Sequence, residues 1–284
     1  MEKYRMAQQH LLISNPLPPL RDATLLLALT GWMDGGLVST GTVQRIMDDR
    51  KVVEAARIEA EPFYLYNFPG SMDVAAMFRP QIKIVDGLID GELGMPTNIF
   101  HVDSSANLVF FLGREPNMLW QTFADCIFEM ASQLGVKRII FMGSFGGTVP
   151  HTREPRMYGS VSHEHLRPVL ARHGLRLSNY EGPAGFSSLL VAQSPARGIE
   201  MISLVAEIPG YLEGLNPRSI EAVTRRLAAL LGQPADLEAM RKASDEWELH
   251  VTEAVEKDSE LAETVHKLEE QYDNELIGGA ESNP

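Results

Sequence analysis

Two continuous apolar runs enclose an amphipathic helix between positions 107 and 153, and this arrangement limits the chain more than any other feature. Leu108-Val109-Phe110-Phe111-Leu112 stops at Gly113 and enters the polar turn Arg114-Glu115-Pro116-Asn117. Leu119, Phe123, Ile127, Met130 and Leu134 then recur at helical spacing until Gly135. The second run, Arg138-Ile139-Ile140-Phe141-Met142, stops at Gly143 and leads through Ser144-Phe145-Gly146-Gly147-Thr148 to Pro150-His151-Thr152-Arg153. Strands that are apolar on both faces belong to a parallel sheet covered on both sides, so the stretch predicts a βαβ unit. In such a sheet the strand C-termini share one edge, and ligands bind there.

Other segments repeat the grammar. Thr24-Leu25-Leu26-Leu27-Ala28-Leu29 predicts a buried strand, and a Gly-rich turn, Gly31-Trp32-Met33-Asp34-Gly35-Gly36, leads into a helix over about 37–49. The turn has neither G-x-G-x-x-G nor G-K-[ST], which argues against a dinucleotide or P-loop site. Strands are expected over 57–61, 81–85, 98–102, 175–180 and 199–206, with turns at Asp86-Gly87 and Asp90-Gly91. Helices are expected over 166–173 and 186–196, and a further helix opens at Asn216-Pro217 and stops at Gly232.

The last segment differs in kind. From Leu237 onward, apolar residues fall on a heptad register. One seam position holds Leu237, Ser244, Val251, Asp258, Val265 and Tyr272; the other holds Met240, Trp247, Ala254, Leu261 and Leu268. A helix of about 40 residues would span roughly 60 Å. It folds back on its own domain or packs on a partner chain. Asp258 in the seam favours a bend or hairpin near Lys257-Asp258-Ser259, because an unpaired buried carboxylate is costly. The expected organisation is an arm over 1–22, an α/β core over 23–232, an acidic helical extension over 233–277 and a disordered tail over 278–284.

The chain carries a net charge of -13, much of it between positions 238 and 275, which argues against nucleic acid or anionic lipid as a partner. No apolar run approaches the ~18 residues of a membrane span. The N-terminal region lacks a secretory pattern, so a cytoplasmic protein is expected. The single cysteine, Cys126, falls on the apolar helix and excludes an internal disulfide.

If the sheet is parallel, its C-terminal edge brings together Asp34, Glu115, His151, Arg153, Glu207 and Tyr211. Glu115, His151 and Arg153 are the candidate catalytic residues, with the histidine as acid/base and the arginine as anion clamp, chemistry suited to phosphate or sugar substrates. The competing reading is structural: Glu115 serves a helix dipole and His151 pins a loop. No metal site is expected, because His151, His163 and His165 form no H-E-x-x-H and no C-x-x-C exists. No cofactor is expected. Ser144 follows Gly143 without a G-x-S-x-G elbow. Trp32, Trp120 and Trp247 are expected to be packing residues, with a partial role at an interface open to Trp32 and Trp120 because both lie near turns.

The ordered motifs carry a resemblance. Gly31-Trp32-Met33-Asp34-Gly35-Gly36, Glu59-Ala60-Glu61, Phe78-Arg79-Pro80, Gly113-Arg114-Glu115-Pro116, Pro150-His151-Thr152-Arg153, Tyr180-Glu181-Gly182-Pro183 and Ile208-Pro209-Gly210-Tyr211 resemble, in order, the proteasome assembly chaperone 2 family. The likeness covers roughly 20–275 and is greatest to bacterial members with an acidic helical extension. It implies a three-layer α/β/α sandwich similar to the phosphorylase/hydrolase-like fold. It also implies oligomers and, in eukaryotic and archaeal relatives, binding of proteasome subunits during assembly. The implied crevice takes Gly31, Trp32 and Asp34 from the first motif, Gly113, Glu115 and Pro116 from the fourth, and Pro150, His151 and Arg153 from the fifth. Tyr180, Gly182, Pro183 and Tyr211 complete it. Gly210 stands where many relatives have histidine. The chain ends Ser282-Asn283-Pro284 and not in a hydrophobic-Tyr-any tripeptide, so tail-dependent docking on a 20S particle is not expected. The expected role is a non-enzymatic assembly chaperone or scaffold that binds itself and a protein client. The alternative is a nucleoside phosphorylase- or hydrolase-like enzyme acting in the crevice.

Overall fold

The computed structural model describes residues 9–281, which build a nine-stranded sheet with helices on both faces. In chain order the elements begin β1 (Leu11–Ile13), β2 (Ala23–Thr30), α1 (Val38–Asp48), β3 (Val53–Ile58) and α2 (Met72–Ala76). A small hairpin of β4 (Ile84–Val85) and β5 (Leu88–Ile89) precedes β6 (Ile99–Asp103), β7 (Leu108–Arg114), α3 (Trp120–Gln133) and β8 (Val136–Gly147). Then come β9 (Arg156–Val161), α4 (Arg167–Arg172), β10 (Arg176–Leu177), α5 (Phe186–Gln193) and β11 (Glu200–Pro209). Three helices close the chain: α6 (Pro217–Leu231), α7 (Glu238–Val255) and α8 (Ser259–Glu281).

The sheet order is β1-β3-β6-β7-β2-β8-β11-β9-β10. The central strands β7, β2, β8 and β11 are parallel, as the doubly apolar runs require. Antiparallel pairing takes over on both flanks, at β6 against β7 and at β9 against β11. The predicted unit β7-α3-β8 forms, but β2 lies between its two strands and pairs with each.

Alternation along β2 sorts residues between two cores. Leu25, Leu27 and Leu29 join Phe123 and Ile127 of α3 and Phe186 and Leu190 of α5 on one face. Leu26 and Ala28 join Val43 of α1 and Val223 and Leu227 of α6 on the other. Helix α6 has the predicted ends. The Asn216 side chain accepts from the Ser219 N–H, Pro217 occupies the first turn, and Gly232 caps the helix in the left-handed region at φ 63°.

Some boundaries move. The strand expected over 57–61 is Val53–Ile58, because Ala55, Ala56 and Ile58 are its buried residues and the chain turns at 60–63. The strand expected over 175–180 contributes only Arg176–Leu177 to the ladder. The single long C-terminal helix is two helices, broken where Asp258 accepts from the N–H groups of Glu260 and Leu261. Both lie back on the core, burying Met240 and Ser244 from α7 and Val265 and Tyr272 from α8. Trp247 is half-buried. Within the arm expected over 1–22, β1 pairs with β3. Residues 1–8, and residues 282–284 of the expected tail, lie outside the described residues, as does the expectation about docking through the terminus. No helix among the described residues is long and apolar enough to cross a membrane.

Candidate functional site

The four parallel strands deliver their C-terminal ends to one edge, and the loops that leave it send the predicted site residues to separate places. Glu115 follows β7. Its Oε2 accepts from the Trp32 N–H at 3.3 Å and its Oε1 from the Phe186 N–H at 2.8 Å. It thereby ties the turn after β2 to the start of α5. Gly31 is required beside it: φ is 130°, and a Cβ there would lie 3.1 Å from that of Glu115. Asp34 is buried and accepts from the Thr40 N–H and hydroxyl at 3.0 and 2.7 Å, while burial raises its pKa. The Pro116 carbonyl accepts from the Trp120 indole.

His151 and Arg153 turn the other way, under the C-terminal helices. Pro150 and His151 are both buried. The Tyr211 oxygen accepts from the His151 backbone N–H at 2.9 Å and lies 2.7 Å from its Nδ1. Nε2 lies 3.1 Å from the Thr252 hydroxyl, which itself donates to the Glu248 carbonyl. These partners assign a neutral ring with the proton on Nε2, donating to Thr252, and Nδ1 accepting from Tyr211. Burial pushes the Tyr211 phenol up to about 12. Arg153 donates through Nε and Nη2 to both carboxylate oxygens of Asp273, at 2.9 and 2.8 Å. Thr152 donates to Glu269 on the same helix. The Tyr272 hydroxyl donates to the Glu154 carbonyl. Helices α7 and α8 therefore strap the loop that carries His151.

Burial, the largest cause, holds the His151 pKa below its ordinary value of about 6.5. Its contribution to stability is fully present above that unfolded value and is lost as pH falls through the depressed folded value. Stability from urea midpoints is expected to decline on acidification below about pH 6.5, and His151→Gln is expected to flatten that decline. His101, also depressed by burial, stays constant in the comparison. An unchanged slope in the variant would exclude this assignment.

Residues that sequence reasoning missed gather at Glu207 on β11. Its carboxylate accepts from the Thr148 N–H at 2.7 Å, the Thr148 hydroxyl at 3.1 Å, Arg156 Nη1 at 3.3 Å and the Tyr158 hydroxyl at 3.2 Å. Arg156 reaches onward to Glu275 of α8 at 3.0 Å and stacks on Tyr272 at 4.6 Å. Gly147 has no room for a side chain, since a Cβ would lie 2.4 Å from Glu207 Oε1. The only sequence signal was Glu207 itself at a strand end.

Two cavities open near the edge. One of about 580 Å³ lies between α1 and the 94–97 segment and includes Gly113. The other, about 560 Å³, is lined by Trp32, Phe145, Tyr158, Tyr180 and Pro183. Gly182 is held against the Tyr180 ring, 2.4 Å from its hydroxyl to a would-be Cβ. Among the described residues, no group of His, Cys, Asp and Glu could hold a metal ion. His163 pairs with Ser162 and His165 with Glu200.

A third feature stands apart from the edge. The α2 segment and the β4–β5 hairpin expose large apolar side chains in succession, including Met72 (90%), Met77 (74%), Leu88 (74%) and Ile89 (63%). Apolar surface of this kind marks protein contacts.

A family model described as PAC2 family matches residues 28–255. A proteasome-assembly chaperone homologue from Mycobacterium tuberculosis is 27% identical and aligns with a TM-score of 0.73, over 85% of this chain and 99% of that one. A PAC2 family protein from Streptomyces avermitilis is 27% identical with a TM-score of 0.69, over 86% and 100%. A Mycobacterium tuberculosis protein of unknown function, 22% identical, shares the fold with a TM-score of 0.83 over 96% and 91%. No curated protein matches the chain.

Proposed function

The chain belongs to the PAC2 family, and on that premise we propose that it is a non-enzymatic assembly chaperone or scaffold that binds protein chains, itself among them. The observation that carries this reading is the apolar surface of α2 and the β4–β5 hairpin. The state of the crevice supports it over a phosphorylase- or hydrolase-like enzyme. Both oxygens of Glu115, both ring nitrogens of His151 and the fork of Arg153 are occupied by contacts that hold the chain together. In this reading residues 23–232 form an α/β/α core resembling the phosphorylase/hydrolase-like fold, which makes the main contacts, and 233–277 are an accessory acidic element. The protein works in the cytoplasm without a cofactor. The client is another protein, and the name of the Mycobacterium neighbour makes proteasome subunits the first to try.

Light scattering on the full chain tests self-association. An oligomer is expected, and Leu88→Asp with Ile89→Asp is expected to shift it towards monomer while leaving the melting temperature unchanged, because both side chains face solvent within the chain. A monomeric full chain at micromolar concentration would sink the self-binding claim. An oligomer indifferent to the double substitution would remove the hairpin from the interface.

A further inference from the structure

The 560 Å³ cavity has a composition that its surroundings do not explain. Its floor is the sheet face of β9 and β11, bearing Tyr158, Ser160, Ser203 and Val205. Its walls are the start of α5, the turn at 32–33 and the loop 178–185. Ser203 is 4% exposed and Ser187 is 8% exposed, yet neither hydroxyl has a hydrogen-bond partner among the described residues. Buried hydroxyls are ordinarily paired. Neither belongs to the fully enclosed polar atoms that lack a partner, so both hydroxyls remain accessible, and the space they border is the cavity.

Aromatic surface flanks these hydroxyls. Trp32 and Tyr180 are 58% and 68% exposed at the rim. Phe145 and Tyr158 form a tilted pair with ring centroids 6.1 Å apart along another side. No Asp, Glu, Lys, Arg or His lines the cavity. The nearest helix start is already occupied by an anion, since Glu115 takes the Phe186 N–H and would lie 3.7 Å from a Cβ at Gly185 on the cavity wall. A second anion would meet that carboxylate, and a cation would find both of its oxygens already taken by the Trp32 and Phe186 N–H groups. Flat rings with a few convergent neutral polar groups are the make-up of a small-molecule site.

We propose that this cavity binds a small, neutral aromatic ligand, whose ring lies against Trp32 and Tyr180 and whose polar group meets the Ser187 and Ser203 hydroxyls. The site needs nothing from the protein-binding surface of α2 and the hairpin, so the two readings fail independently.

The test uses the full chain and four probes of similar ring size: benzamide and indole as neutral ligands, benzoate and benzylamine as charged ones. Binding is read by nuclear magnetic resonance at the Trp32 indole N–H and the Ser187 and Ser203 amides. Saturable shifts are expected for the neutral pair, with affinity at least about tenfold weaker for the charged pair. Ser203→Val replaces the hydroxyl within a strand and is expected to weaken benzamide about tenfold at unchanged melting temperature. Ser187→Ala gives the same reading should the first variant fold poorly. The proposal is overturned by the absence of saturable shifts up to the solubility limit, by equal binding of benzoate, or by undiminished binding in a folded serine variant.

Discussion

Glu207→Ala is expected to destabilise the protein by about 3–5 kcal/mol, the loss seen when one partner of a buried ion pair is removed. The Glu207 and Arg156 side chains are 7% and 6% exposed. Without the carboxylate, the Arg156 guanidinium keeps the Tyr272 ring, the Thr148 hydroxyl and, as its one remaining acid among the described residues, Glu275, a rim residue more than half exposed whose attraction solvent screens. The Thr148 N–H, its hydroxyl and the Tyr158 hydroxyl lose their acceptor at the same time. Chemical denaturation of the variant measures the loss. A double variant, Arg156→Met with Glu207→Leu, separates the causes, because removing both charges leaves none stranded. It is expected to recover most of the deficit. A Glu207→Ala loss below about 1 kcal/mol, the size of a surface pair, would show that the pair is not functionally buried.

That pair marks where the sequence stopped being informative. Glu207 was legible as a carboxylate at the end of an apolar run, but Arg156 becomes its neighbour only because β9 pairs antiparallel with β11, with Glu207 opposite Arg156 in the register. Periodicity carries no information about which strands become neighbours. The same limit hid β2 between β7 and β8. Local signals fared better: Asn216, Pro217 and Gly232 bounded α6 because capping is decided within a few residues. Asp258 foretold the break between α7 and α8 because a lone carboxylate does not suit a dry seam. What the acidic face of α8 would meet was invisible. Its partners, Arg153 and Arg156, come from a loop and a strand more than a hundred residues earlier. That contact sets His151 and Arg153 among partners on α7 and α8, while Glu115 binds the turn after β2 and the start of α5.

Phe123→Ala is expected to cost about 3–5 kcal/mol, the range for truncating a buried aromatic in a well-packed core. Phe123 is fully buried on α3 and stands edge-on to Phe63 at 5.0 Å, to Phe186 at 5.5 Å and to Phe111 at 6.3 Å. Those neighbours sit on β7, on the loop after β3 and at the head of α5, three separately anchored segments that cannot close together over the gap. The cavity term therefore adds to the lost transfer energy. Phe123→Leu retains more volume and is expected to lose less. The position also reaches the site, because Phe186 is the residue whose N–H Glu115 holds and the next residue along is Ser187. Amide hydrogen exchange over Phe186–Gln193 should quicken in Phe123→Ala beyond what its global stability predicts. Exchange that follows global stability alone would break the link between the aromatic core and the cavity wall, and an equilibrium loss below about 1 kcal/mol would show that this core can collapse around the missing ring.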